Sequence, residues 1–158
     1  MFSIITCTTL VCQSGHKKDT TYGSPEGVLR IPLTDASKKP ICSPNTNIQS
    51  LIDGYYQPKD VDKGNCDDCK SKMVEEKSVQ QPPNILLVQL ARYNDAGKRV
   101  DINIIPSHTI TFFKHQYRLK SIIEHHGNNL NVGHYKSVIY SNNNKYVVLD
   151  DDKFGKKS

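Results

Sequence analysis

Residues 135–140 and 145–149 constrain this chain more than any other segment. Tyr135 to Tyr140 and Lys145 to Leu149 are rich in Val, Ile and Tyr and flank Ser141-Asn142-Asn143-Asn144. Asn tolerates positive φ, so the pattern predicts a β-hairpin closed by this loop. A hairpin dictates which side chains face one another. Pairing Tyr140 with Lys145 sets Tyr135 opposite Asp150 and His134 opposite Asp151, with Asp150 diagonal to the imidazole. The strands are entered through Gly133-His134 and left through Asp150-Asp151-Asp152. A histidine held in one tautomer by a carboxylate suits a general base, two members of a nucleophile–His–Asp triad. An exposed histidine beside a solvated acidic turn has the same spelling, and on the hairpin alone that reading is the commoner one.

The rest of the chain supports a β-rich fold. Phe2 to Val11, Val28 to Leu33, Lys72 to Gln81, Ile85 to Tyr93, Ile102 to Ile105 and Tyr117 to Glu124 read as strands. Ile48-Gln49-Ser50-Leu51-Ile52 has the apolar spacing of a short helix, expected to stop near Gly54. The 158 residues carry a net charge of +5 and 36% apolar residues, enough for one core-bearing domain with many polar loops. Lysines are scattered without interleaved aromatics, which argues against a nucleic-acid partner. No apolar stretch reaches the length of a bilayer span, so no membrane partner is expected. Five cysteines include one CxxC pair, and the N-terminus lacks a basic region before its apolar run. Both features point to a reducing compartment, cytoplasmic or nuclear.

Four motifs in order make the reading more specific. Ile122-Ile123-Glu124-His125-His126-Gly127, Gly133-His134-Tyr135 and Leu149-Asp150-Asp151 together closely resemble the histidine box of ubiquitin-specific proteases. Pro83-Asn84-Ile85-Leu86-Leu87-Val88-Gln89-Leu90-Ala91-Arg92-Tyr93 is similar to that family's proline-led strand, and Pro106 falls where its next motif has a proline. Cys66-Asp67-Asp68-Cys69 matches the second zinc-knuckle pair. The resemblance spans nearly the whole chain, but nothing here resembles the family's cysteine box or the aromatic-rich strand after its Asp motif. It implies the C-terminal two-thirds of a catalytic domain. The implied fold is α+β and mostly antiparallel β, the papain-like cysteine protease fold of this family, with fingers over residues 1–82 and palm over 83–158.

The resemblance also implies chemistry. His134 would be the base for a thiol that cleaves after the C-terminal glycine of ubiquitin, with Asp150 orienting it and Asp151 a second candidate. Gly133 and Tyr135 would line the channel for the ubiquitin tail; Tyr135 reads equally as a core aromatic. Cys7 lies in a strand-like run, Cys42 in a proline-flanked loop, and Cys66 and Cys69 beside aspartates, so none has the setting of an activated nucleophile. The chain then reads as part of a deubiquitinase, inactive by itself, or as a non-catalytic ubiquitin-binding module. A plain zinc-ribbon scaffold is a third reading. For the knuckle, the family supplies a first cysteine pair near Cys12, but Gly15 stands where its second cysteine belongs. His16 could complete a Cys12, His16, Cys66, Cys69 site for structural zinc; an empty knuckle held by packing is the alternative.

Overall fold

A computed structural model describes residues 3–93, 98–127, 129, 131–141, 145–151 and 153–157. Its elements are β1 (Thr6–Cys12), β2 (Lys17–Tyr22), β3 (Leu29–Pro32), β4 (Thr46–Asn47), α1 (Ile48–Tyr56), β5 (Lys59–Asn65) and β6 (Lys72–Val79). They continue as β7 (Val88–Ala91), β8 (Ile104–Ile105), β9 (Thr109–Phe112), β10 (His115–Arg118), β11 (Ser121–His126), β12 (His134–Tyr140), β13 (Tyr146–Asp150) and β14 (Lys153–Lys157). The antiparallel, strand-dominated class expected from the sequence is what the chain adopts. Among the described residues, no helix is long and apolar enough to cross a membrane.

The chain divides into two compact units, each assembled from separated stretches. The first comprises 1–31, 49–89 and 111–115. Its main sheet has the order β2-β1-β6-β5. β1 pairs along its whole length with β6, from Thr6↔Val79 to Cys12↔Met73. β2 escaped the sequence reading because all of its side chains are exposed, and such an edge strand carries no apolar alternation. Helix α1 runs past Gly54 to Tyr56, further than its sequence suggests. It buries Leu51 and Ile52, and that burial outweighs the penalty of about 1 kcal/mol for a mid-helix glycine. Gln49 then treats β9 as a strand would: its carbonyl accepts from Thr111 N at 2.7 Å and its amide donates to Thr111 O at 2.9 Å.

The second unit comprises 32–48, 90–110 and 116–158. Its sheet, β11-β12-β13-β14, is antiparallel throughout. The single strand expected from Tyr117 to Glu124 is two, β10 and β11, because the first pairs with β9 and the second with β12. β10 is reached from β9 through Phe113 and Lys114, both at positive φ (44° and 69°), a reversal made without glycine and invisible to turn signals.

The hairpin of β12 and β13 is present with a register one residue away from the expected one. Tyr140 pairs with Tyr146 and Ser137 with Leu149, while Ser141 N bonds Lys145 O at 2.8 Å. Asn142, Asn143 and Asn144 lie outside the described residues. A one-residue slip exchanges the faces of a strand. It therefore replaces the expected Tyr135–Asp150 and His134–Asp151 pairings and sets Asp150 across from Lys136, on the face that carries His134.

Candidate active site and metal-ligand cluster

Strand β12 begins at His134, which pairs with His126 of β11. Its Nε2 is hydrogen-bonded to Asp150 Oδ1. The other carboxylate oxygen, Oδ2, takes an ion pair from Lys136 Nζ at 2.8 Å. Asp150 is thus gripped from two sides, and the Lys136 bond first, then the His134 bond, lowers its carboxyl to about 2. Lys136 is raised in return by the same carboxylate. Asp151 stands elsewhere. It has φ 50° at the reversal into β14, where Asp150 pairs with Lys153. Its exposed carboxylate lies 3.8 Å from His134 Nδ1, the opposite ring nitrogen. The two acidic candidates that the sequence left open thus occupy different sides of the imidazole.

Lys136 was missed in the sequence because the wrong register pointed it away from Asp150. With Lys136→Met, the Asp150 carboxyl is expected to rise toward the ordinary carboxylate range near about 3.9, as carboxyl carbon NMR titration would record. The sign follows: a carboxyl depressed in the fold contributes stability above its unfolded value and loses it as pH falls toward about 2. The variant should flatten that acid limb. An unchanged Asp150 midpoint would show that Lys136 does not hold the carboxylate.

Gly133 has a structural reason of its own. A Cβ there would lie 2.1 Å from His125 Nε2, so only glycine admits the His125 ring. Tyr135 is not a core residue: it is 59% exposed and tilts over His125, with ring centroids 4.6 Å apart.

In the other unit, the strand ends gather sulfur and nitrogen. β1 ends at Cys12 in a turn closed by Gly15 N→Cys12 O (2.9 Å) and Cys12 N→His16 O (3.1 Å). Gly15 takes φ +81°, a conformation unfavourable to cysteine, and the turn presents His16 instead. The Cys66–Cys69 turn is built alike, with Lys70 N→Cys66 O at 2.9 Å and Cys66 N→Ser71 O at 2.8 Å. Because β1 lies beside β6, the two turns meet. One ligand atom from each of Cys12, His16, Cys66 and Cys69 lies within 4.8 Å of all the others. Cys69 Sγ is 3.5 Å from Cys12 Sγ, and His16 Nδ1 is 3.4 Å from Cys66 Sγ. Tetrahedral Zn–S bonds of about 2.3 Å would place ligand atoms roughly 3.5–3.8 Å apart, so the donor set and its spacing fit a metal ion. The Ser71 hydroxyl and backbone amide, then Ser14, lower the Cys69 thiol to about 5. These hydrogen bonds outweigh the flanking aspartates, expected to disfavour ionisation, and favour the thiolate, the form that ligates metal. Cys69 in turn raises His16, with Cys12 and Asp68 adding to it.

The family model "Ubiquitin carboxyl-terminal hydrolase" matches residues 1–157. None of the curated proteins compared with the chain matches it significantly. Among solved structures, the SAGA DUB module Ubp8/Sgf11/Sus1/Sgf73 bound to ubiquitin aldehyde is similar over 100% of this chain, with a TM-score of 0.73 and 18% identity. A yeast SAGA DUB module gives 0.70 and 17%. The chain spans 38% and 37% of those two matched chains, little more than a third of their length. At such identities these likenesses establish the shared fold. The match of the family model over residues 1–157 places the chain in the ubiquitin carboxyl-terminal hydrolase family.

Proposed function

We propose that this chain supplies the histidine–aspartate half of a cysteine-type deubiquitinase and part of its ubiquitin-binding surface. The observation that carries the reading is the His134–Asp150 hydrogen bond, made within the segment that resembles the family's histidine box. Asp150 accepts a hydrogen bond from Nε2–H, which leaves Nδ1 to exchange a proton with a thiol. His134 Nδ1 removes that proton, the thiolate attacks the carbonyl of ubiquitin's terminal glycine, and the imidazolium returns the proton to the departing lysine amine. Water then enters by the same base and releases the acyl group. Asp150 stabilises the imidazolium in both half-reactions without taking up the proton, since its carboxyl is held near about 2. Among the described residues, no cysteine thiol is hydrogen-bonded to His134, whose ring partners are Asp150 and Asp151. We take the thiol of this mechanism to be none of the five cysteines: Cys12, Cys66 and Cys69 belong to the ligand cluster, Cys7 sits within β1, and Cys42 lies in a proline-flanked loop. We further propose that Cys12, His16, Cys66 and Cys69 hold one structural zinc, which would fix the two turns and take no part in the chemistry.

Ubiquitin is the ligand to test, as some solved structures of this fold are bound to ubiquitin or ubiquitin aldehyde. The 158-residue chain should bind ubiquitin with amide shifts around Gly133, His134 and Tyr135, yet should not turn over a fluorogenic ubiquitin substrate. Absence of ubiquitin-dependent shifts at these residues would sink the binding reading. Covalent capture of Cys7 or Cys42 by ubiquitin with an electrophilic C-terminus would overturn the claim that the thiol comes from elsewhere.

A further inference from the structure

The reverse face of the β11–β12 pair carries polar groups that the mechanism does not use. His125 pairs with Tyr135, so its ring points away from the face of His134 and Asp150. Tyr93 meets it there, with the hydroxyl 2.6 Å from His125 Nδ1. When Tyr93 donates, Nδ1 accepts and the imidazole proton resides on Nε2. That Nε2 edge presses on the backbone immediately before His134. A Cβ at Gly133 would lie 2.1 Å from Nε2, 2.7 Å from Cε1 and 2.9 Å from His126 O. Gly127 is as tight: a Cβ there would meet Val132 O at 2.4 Å, and Gly133 Cα and His125 Cε1 at 2.9 Å. The ring is therefore wedged against two glycines at the two ends of the loop between β11 and β12. Arg99 ties the same loop by donating to Gly127 O at 3.1 Å, and Tyr93 pairs with Arg99 in an isolated bridge. Tyr135 closes the other side of the ring.

We infer that Tyr93 and His125 form a positioning pair, bracing the Gly133 backbone from the reverse face so that His134 meets Asp150. The inference rests on the histidine–aspartate reading above. The Tyr93 hydroxyl sets the plane and tautomer of His125, the ring sets the path of Gly133, and that path sets where the imidazole of His134 begins. Neither residue touches the reacting atoms. Rotation of His125 by loss of its hydrogen bond would free Gly133 and lengthen the His134–Asp150 contact, because neighbouring backbone and ring are packed without space to absorb the change.

The test uses the chain itself and imidazole nitrogen NMR. Tyr93→Phe keeps the ring and removes one hydroxyl. It should speed exchange of the His134 Nε2 proton about tenfold and move the Nε2–H resonance toward that of Asp150→Asn. Gly133→Ala should do the same more strongly. If Gly133→Ala does not fold, Tyr93→Phe still decides. The comparison with Asp150→Asn separates two failures. If Asp150→Asn changes the His134 Nε2–H resonance and exchange while Tyr93→Phe changes neither readout, the brace is refuted and the histidine–aspartate reading survives. If Asp150→Asn leaves His134 unchanged, the histidine–aspartate reading falls. The brace, which serves that contact, then falls with it.

Discussion

His134→Ala should lower ubiquitin hydrolysis by about 10³-fold or more in a protein that joins these residues to the thiol nucleophile. The imidazole makes the thiolate, protonates the leaving amine and activates the water, so its loss removes every proton transfer at once. Asp150→Asn should cost less, roughly 10- to 10²-fold. An amide oxygen still accepts from Nε2, but the charge that stabilises the imidazolium is gone, and Lys136 is left beside a neutral partner. Asp151→Asn should stay within about threefold. Its carboxylate lies 3.8 Å from Nδ1, on the exposed turn, and cannot hold Nε2. Steady-state kinetics on the three variants check the assignment. Equal damage from Asp150→Asn and Asp151→Asn would show that the two carboxylates share one role.

How much of this could be read from the sequence depended on which residues carry a local signal. The β-rich class, helix α1 and the two constellations were legible because apolar alternation, CxxC spacing and the Gly-His-Tyr run are local patterns. The sequence placed Cys12 and His16 with Cys66 and Cys69 only through resemblance; in the fold, the pairing of β1 with β6 brings them together. Register was the main error. A one-residue slip in the hairpin hid Lys136, because hairpin register depends on loop geometry that a run of asparagines does not specify. β2 and β5 were unreadable for another reason: Lys17–Tyr22 and Lys59–Asn65 are polar strands stabilised by their neighbours, not by their own composition. Tyr93 and His125 lie far apart in sequence and had no shared motif to announce their hydrogen bond. By resemblance Gly133 reads as room for the ubiquitin tail, whereas in the fold a Cβ there would meet the His125 ring.

Metal removal should have the largest effect on the fold. The purified chain is expected to carry about one zinc, and chelation should destabilise the β2-β1-β6-β5 sheet first. The reason lies in the core beneath the ligands: Cys12, Cys66 and Met73 form a buried cluster against which Leu10, Val61 and Cys69 pack. Three of these six residues are proposed ligands, so little apolar surface remains to hold the two turns together once a metal leaves. Structural zinc contributes on the order of 10 kcal/mol in small fingers, and even about 4 kcal/mol here would lower the thermal midpoint by roughly 10 °C. Cys66→Ser and His16→Ala should both release the ion and reproduce the chelated state. Cys42→Ser, in the other unit, should keep it. Metal analysis and thermal denaturation give the answer together. If His16→Ala retains its zinc, the imidazole is not a ligand. If the metal-free chain melts at the same temperature as the loaded one, packing around Met73 suffices and the four ligand groups do not staple the sheet.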